Sequence, residues 1–201
     1  MQEGIFETLT GMLTRPTSTI RSICQQRPIG WAIVVYLVVC MVSGVSAIGL
    51  GFLEGAGLPD FGPFSIAVYI PGMLVGTPII GLLTLVVLAA ICHGVASVLG
   101  GKGSYSGLFS GFAFAALPGI FSAPLTAISL PFGIIGTILY GLGSIGLSLW
   151  VVVLDILALR ENYVVSTGRA ILILLLPAVI LLVLLGLLGA LVITALIGGL
   201  P

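Results

Sequence analysis

Charged residues are the class of side chain that this sequence most clearly lacks. They make up 6% of 201 residues, six basic and six acidic, whereas a water-soluble domain carries roughly 25%. So few charges cannot hydrate the surface of a 20.6 kDa globule, so a soluble domain is excluded and lipid is the expected solvent. The formal net charge is zero, and we expect no nucleic-acid partner.

Cysteine and histidine are also scarce. Cys24, Cys40 and Cys92 are odd in number and widely spaced, so they predict neither a disulfide framework nor a metal site. His93 is the only histidine, and no apolar run contains two acids. This leaves too few groups for a nucleophile with its base, so we expect no enzyme activity and no cofactor.

The only lysine lies in a glycine-rich stretch that looks at first like a phosphate-binding loop. Such a loop needs a glycine five residues before its Gly-Lys pair, and a serine or threonine directly after the lysine. Around Lys102 these two positions hold Ala96 and Gly103, so nucleotide binding is excluded. The stretch is instead predicted to be a polar turn between two apolar runs.

Long uncharged runs are abundant: residues 28–53, 61–101, 103–154 and 170–198 carry no charge. About 20 helical residues cross a bilayer core of ~30 Å, so the run 103–154 suffices for two crossings, which we divide near 128–133. The sequence predicts an all-α integral membrane protein with five transmembrane helices, because helices pair all their backbone groups within lipid. The predicted spans are about 29–53, 71–99, 105–127, 132–157 and 170–198.

Every basic residue falls on one side of the membrane when five spans are drawn. Three arginines precede the first span, Lys102 follows the second, and Arg160 and Arg169 follow the fourth. The positive-inside rule places that side in the cytoplasm, so we expect the N-terminus inside and the C-terminus outside. The acids Glu54 and Asp60 fall in the loop on the opposite side.

Residues 1–28 are predicted to be a cytoplasmic segment ahead of the membrane domain 29–201. A first amphipathic helix ends at Pro16, and a second is predicted from Thr17 to Gln26. Two interpretations stay open, an interfacial helix on the inner leaflet or an arm that binds a partner. Cys24 is either a palmitoylation site or an unmodified buried thiol. The apolar face of the first helix holds Ile5, Phe6, Leu9, Met12 and Leu13, and that of the second holds Ile20, Ile23 and Cys24.

Small residues and prolines mark the predicted spans two and three. A small residue recurs at every fourth position of span three, which allows another span or a second copy of the chain to approach closely. Prolines kink these helices, which is typical either of a broken-helix binding site or of packing alone. The stripe is Gly107, Gly111, Ala115, Gly119, Ala123 and Ala127; the prolines are Pro71, Pro78, Pro118 and Pro124; the hydroxyls available to line a site are Thr77, Thr84, Ser110, Ser122 and Thr126.

Two titratable residues lie inside predicted spans. His93 is about 9 Å from the inner end of span two at ~1.5 Å per residue, and Asp155 lies at a similar depth in span four. An ionisable group inside a membrane is a functional candidate by default. We expect Asp155 to be partnered by His93, Arg160 or Arg169, in an intramembrane polar cluster that ties helix ends together.

Three segments of the sequence belong together: QQRPIGWAIVVYL from Gln25, GGKGSYSGLFSGFAFAALPGIF from Gly100, and ALRENYVVSTGRAILILLLP from Ala158. In this order they resemble the Yip1 domain family of multi-pass membrane proteins. The resemblance implies five spans and a cytoplasmic N-terminus. It also implies a cytoplasmic turn whose glycines allow tight reversal at positive φ, with a lysine and a tyrosine as interface anchors. The turn consists of Gly100, Gly101, Lys102, Gly103 and Tyr105.

The resemblance also carries expectations about function. Eukaryotic members act in vesicle traffic between endoplasmic reticulum and Golgi, and some bind Rab GTPases through longer polar N-terminal regions. The short segment here resembles prokaryotic members and argues against GTPase binding. We expect a scaffold that organises membrane or assembles membrane proteins, including copies of itself, in the cell membrane (in a eukaryote, the endoplasmic reticulum or Golgi membrane). The alternative is a transporter or channel for small solutes or ions that uses the kinked spans two and three.

Overall fold

The computed structural model describes residues 5–53, 65–177 and 179–180, and the regular elements among them are all helical. Two short helices come first, α1 at Ile5–Thr14 and α2 at Pro16–Gln26, and together they are called the arm. Proline suits the first position of α2 because the N–H that it lacks would have no partner within the helix. The arm leads directly into the first long helix.

Two long apolar helices follow the arm. Helix α3 spans Ile29–Leu53, and α4 spans Ser65–Val98 and continues through both of its prolines. Each is long and apolar enough to cross a membrane. Both expose large apolar side chains along their length, as helices do where lipid replaces water as solvent. The predicted loop between them, with Glu54 and Asp60, lies outside the described residues.

The third candidate span is a helical run of 59 residues, Tyr105–Tyr163, and it is interrupted twice. Gly133 has a φ of +53°, a conformation that residues with a Cβ rarely adopt, and it follows the second interruption. The run consists of α5 at Tyr105–Ala115, a 3-10 turn at Leu117–Phe121, α6 at Ser122–Ser129, a second 3-10 turn at Leu130–Phe132, and α7 at Gly133–Tyr163.

This run folds back on itself as a hairpin, with α7 returning along α6 and α5. Close to the reversal, Gly136 lies against the backbone carbonyl of Ser129. At the open end of the hairpin, the Asn162 side-chain amide donates to the Ser104 carbonyl at 2.9 Å. The reversal lies where the sequence divides the run into two predicted spans.

A further apolar helix, α8, begins after a short turn and is described over Thr167–Pro177. The turn starts at Val164, which ends α7 in the left-handed conformation with a φ of 54°. The fifth predicted span runs from 170 to 198. Its larger part, residue 178 and residues 181–198, lies outside the described residues.

The break between α5 and α6 corrects the predicted small-residue stripe. A spacing of four keeps residues on one face only while the helix stays regular, and the 3-10 turn around Pro118 changes that face. Gly107, Gly111 and Ala115 are buried, whereas Ala127 is exposed. The buried half of the stripe is occupied by other elements of the same chain.

The core lies at one end of the bundle, called here the arm end. Every residue from Gly107 to Ala115 is buried, and α5 is in contact with α2, α3, α4 and α7. At the opposite end, called the far end, α7 exposes large apolar side chains such as Ile134, at 80%, and Leu142, at 66%. Dense packing is therefore concentrated where the arm joins the helices.

Candidate functional site

The glycine-rich turn between α4 and α5 packs directly on the last turn of α7. A Cβ at Gly101 would lie 2.9 Å from Tyr163 Cδ1, and a Cβ at Gly103 would lie 2.6 Å from the carbonyl oxygen of Asn162. Within the turn, a positive φ occurs at Gly100 alone, at +79°. The expectation of reversal at positive φ therefore holds for Gly100, while Gly101 and Gly103 are needed because the backbone approaches α7 so closely.

Hydrogen bonds hold the same turn in place. Ser104 caps α5 by accepting the Gly107 N–H on its Oγ at 3.1 Å, while its own carbonyl accepts from Asn162. Tyr105 donates its hydroxyl to the Val86 carbonyl of α4 at 3.3 Å. The predicted interface anchor at Tyr105 thus lies along α4 and ties the start of α5 to it.

His93 joins this arrangement from α4. Its Nδ1 lies 2.6 Å from the Tyr163 hydroxyl oxygen, and its ring meets that of Tyr105 edge-on, with centroids 6.1 Å apart. Tyr163 is buried, so its hydroxyl needs a hydrogen-bond partner within the protein, and His93 provides one. The ends of α4 and α7 are therefore tied together by His93 and Tyr163.

The predicted cluster around Asp155 is not assembled in this arrangement. Within the described part of the chain, no hydrogen bond or ion pair joins Asp155 to His93, Arg160 or Arg169. Asp155 and Arg160 are five residues apart on α7, so they point roughly 140° apart around a helix of 3.6 residues per turn. Asp155 instead lies near Tyr36 and Cys92.

The arm packs on the hairpin through α2. Ile20, Ile23 and Cys24 are buried, as the sequence predicts, and α2 is in contact with α5 and α7. The Cys24 thiol faces the Ala158 carbonyl, with Sγ 3.9 Å from the oxygen. A Cβ at Gly107 would lie 2.7 Å from the Cys24 carbonyl oxygen. Small residues on α5 and α7 therefore form the groove that receives α2.

One carboxylate links the arm to α7. Glu161 Oε2 accepts from Arg21 Nε at 2.6 Å, and its Oε1 accepts from the Arg160 guanidinium at 2.8 Å. The Glu161 side chain is 7% exposed, so a buried charge is paired from two sides. Reasoning from sequence missed this link, although Glu161 is the one acid in a segment that otherwise carries arginines.

Cys24 lies next to this ion pair. Burial, together with the nearby negative charge of Glu161, raises the pKa of the Cys24 thiol to about 12. A thiol with such a pKa stays protonated at neutral pH and is a poor nucleophile. This geometry favours the unmodified buried thiol over the acylated one.

Four basic residues of the arm end are exposed, and within the described ranges none of them forms a salt bridge. Lys102 and Arg169 lie in the two turns, and Arg15 and Arg27 end the first and second helices of the arm. Arg27 also has a φ of 52°. The turns and the arm therefore present their free positive charge at the same end of the bundle.

A cleft of about 460 Å³ lies between α3 and α4, beside the break in α5. Its polar groups come from Tyr36, Ser43 and Thr77, and Ala116 of the break forms part of its wall. We call it the α3–α4 cleft. It lies next to Pro78 and Pro118. A transporter that uses these kinked helices is expected to have its binding site there.

The hydroxyls expected to line such a site are mostly used elsewhere. Ser122 pairs with Ser46 of α3 at 2.9 Å, and Thr126 donates to the carbonyl of Ser122 within α6. Ser110 is fully buried, without a hydrogen-bond partner among the described residues. Of the five predicted hydroxyls, Thr77 is the one that lines the α3–α4 cleft.

Comparison with known proteins adds the family. Among the described residues, no group of three or more His, Cys, Asp or Glu side chains is placed to hold a metal ion. The Yip1 domain matches residues 10–188. The chain belongs to the Yip1 domain family. No curated protein and no solved structure gives a significant match.

The Yip1 match confirms the resemblance seen in the sequence and covers all three of the segments that carry it. The structure adds that these segments meet at the arm end. The turn of the second segment packs on Asn162 and Tyr163 of the third, and Cys24, just before the first, packs on α5 and α7. The family match and the long apolar helices make this Yip1 domain a membrane protein. The contacts bring residues in and next to the three segments together at the arm end.

Proposed function

We propose that this Yip1 domain crosses the membrane five times, with the arm, the glycine-rich α4–α5 turn and the α7–α8 turn in the cytoplasm. Two contacts carry the proposal. Gly103 lies directly against Asn162, and Arg21 Nε donates to Glu161 Oε2 at 2.6 Å. These contacts bring the arm, the α4–α5 turn and the end of α7 to one end of the bundle. The hairpin formed by α5, α6 and α7 between α4 and α8 supports that arrangement.

Cysteine accessibility tests the proposed topology. In a chain without its native cysteines, cysteines at Lys102 and at the exposed Val164 are expected to react from the cytoplasmic side alone. A cysteine at Phe132, in the reversal before α7, is expected to react from the opposite side alone. Labelling of Lys102→Cys and Phe132→Cys from the same side would refute five crossings.

The role that we propose for the domain is that of a non-enzymatic scaffold in membrane-protein assembly or membrane organisation. The support is its uneven packing: the arm end is dense, while α7 at the far end keeps a face of apolar side chains open. Gly146 on the same helix has no neighbour within 4 Å of a built Cβ, so another helix can approach closely there. Such a face suits a second membrane protein or a second copy of the chain.

Crosslinking in native membranes tests the scaffold role. A photoreactive residue at Leu142 or Ile145 is expected to capture a discrete protein partner, identified by mass spectrometry. The same residue at Ala158, which is buried under the arm, serves as the matched control. Capture of lipid alone at Leu142 and Ile145 would refute assembly through this face.

Transport of a small solute is the second candidate, and the α3–α4 cleft beside Pro78 and Pro118 is the observation that favours it. Passage requires water in the cleft. In a chain without its native cysteines, a water-soluble thiol reagent is then expected to label Ser43→Cys rapidly, whereas a cleft closed to water leaves that cysteine unlabelled.

A further inference from the structure

Helices α3 and α4 approach each other closely at two points along the α3–α4 cleft. A Cβ at Gly81 would lie 2.6 Å from Cys40 Sγ, and a Cβ at Gly44 would lie 3.2 Å from the Met73 carbonyl oxygen. Between these contacts the wall of α4 is bare at Gly76, where a built Cβ meets nothing within 4 Å. The cleft therefore has a bare wall on α4 between two points at which α3 and α4 approach closely.

Two hydroxyls in this cleft have no hydrogen bond to any residue that the structure describes, those of Ser43 and Thr77. Other hydroxyls on the same two helices donate to the carbonyl four residues earlier, as Ser46 and Thr84 do at 2.9 and 2.8 Å. An unsatisfied hydroxyl away from water costs free energy, about 1–3 kcal/mol by mutational estimates. Both hydroxyls are therefore available to donate to a ligand.

Their depth indicates what the ligand is. Ser43 is 14 residues beyond the start of α3 and Thr77 is 21 residues before the end of α4, so they lie about 21 and 31 Å from the arm end. The hydrocarbon core is ~30 Å thick. Thr77 thus lies near the level of the lipid ester groups of the leaflet remote from the arm, and Ser43 lies deeper in the same leaflet. From these hydroxyls the cleft extends inward to Cys40 and Ala116 and outward to Gly72.

We propose that the α3–α4 cleft binds a glycerolipid of the leaflet remote from the arm. The hydroxyls of Ser43 and Thr77 donate to its ester carbonyls, and one acyl chain occupies the inner part of the cleft beside Cys40. Ile80 lines the cleft and is 66% exposed, so the cleft opens toward the bilayer and the lipid enters sideways. Its volume of about 460 Å³ falls within the ~300–1,000 Å³ typical of ligand sites.

Photocrosslinking tests this site in the full chain, reconstituted in phosphatidylethanolamine vesicles that contain a diester phospholipid with an acyl-chain diazirine. Crosslinks are expected in the peptides around Cys40 and Ala116. Gly76→Leu fills the cleft and is expected to lower them to the level of surrounding lipid. Gly94→Leu is the matched control, because Gly94 lies on the same helix with nothing near its built Cβ and outside the cleft.

A second comparison isolates the hydrogen bonds. Ser43→Ala combined with Thr77→Ala is expected to lower crosslinking about tenfold, as the loss of two net hydrogen bonds implies. Replacing the diester probe with a diether of the same chain length removes the carbonyls. It is expected to lower crosslinking of the native chain similarly and to have no effect on the double variant.

Three results would overturn the proposal: equal crosslinking in Gly76→Leu and Gly94→Leu, equal crosslinking by the diester and diether probes, or rapid labelling of Ser43→Cys by a water-soluble reagent. The last result indicates an aqueous cleft and supports transport instead. None of the three affects the topology or the assembly face, so this site stands or falls separately from the scaffold role.

Discussion

Arg21 of the arm donates to Glu161 at the end of α7 across 2.6 Å, although 140 positions separate the two residues in the chain. The Arg21 side chain is 61% exposed, while that of Glu161 is 7% exposed. The pair therefore lies at the boundary between the packed bundle and its surroundings. It connects the two cytoplasmic segments in the proposed topology, the arm and the α7–α8 turn.

Glu161→Gln is expected to loosen the arm without unfolding the bundle. Because Arg21 is exposed, the pair contributes about 0.2–1 kcal/mol, so chymotryptic cleavage after the exposed Leu13 should rise by at most about fivefold. Brief digestion of the protein in detergent measures this rate. Glu7→Gln, at an exposed arm carboxylate without a salt bridge in the described ranges, should leave it unchanged. Arg21→Ala should add nothing to Glu161→Gln, and full additivity would show that the two residues act independently.

The glycines of the α4–α5 turn should respond to substitution in two different ways. Gly103→Ala forces a Cβ against the Asn162 backbone and is expected to cost about 1–3 kcal/mol. Gly100→Ala meets no neighbour but carries a side chain at positive φ, at a cost of about 1–2 kcal/mol. Gly100→Asn should recover part of that loss because asparagine tolerates this conformation, whereas Gly103→Asn should recover none. Thermal unfolding in detergent distinguishes these cases.

The same melting experiment needs a glycine that lies outside the turn. Gly94→Ala on α4 meets no neighbour and gains about 1 kcal/mol of helix propensity, so it should be neutral or stabilising. A loss in Gly94→Ala as large as that in Gly103→Ala would contradict the role assigned to close approach.

Tyr163→Phe removes the hydroxyl that bonds to His93 and keeps the buried ring. The expected loss of stability is about 1 kcal/mol, the net contribution of one hydrogen bond. Combining it with His93→Phe should give less than the sum of the two single effects, because both remove the same interaction. Tyr140→Phe on the exposed part of α7 provides the control. Equal losses at Tyr163 and Tyr140 would argue that the His93 bond contributes nothing.

Cys24 should resist alkylation as long as the arm is docked. Because burial raises its pKa to about 12, the reactive thiolate is rare at neutral pH, and labelling should stay slow up to roughly pH 9. In a chain lacking the other two cysteines, maleimide labelling of native Cys24 is compared with that of Ser18→Cys in a Cys24→Ala background. Ser18 is exposed on the same helix and should be labelled fast. Fast labelling of both would show that α2 is undocked.

Composition predicted that lipid surrounds most of this protein and that its fold is helical. Whether a run of residues belongs in lipid depends on the transfer free energies of its side chains, which add along the chain and need no knowledge of contacts. The reversal near Gly133 and the buried face of α2 could also be predicted from the sequence, because turn residues and helical periodicity are local signals.

Contacts between distant segments were decided by the tertiary structure alone. The sequence predicted that Asp155 would find a basic partner, yet Arg160 pairs with its neighbour Glu161, and Asp155 lies near Tyr36 of α3. The spacing of small residues predicted one continuous stripe, yet the break at Pro118 interrupts it, and Gly107 is buried whereas Ala127 is exposed. Rotation about a helix axis and the location of a break depend on how neighbouring helices pack against each other. That packing is a property of the whole chain rather than of any segment within it.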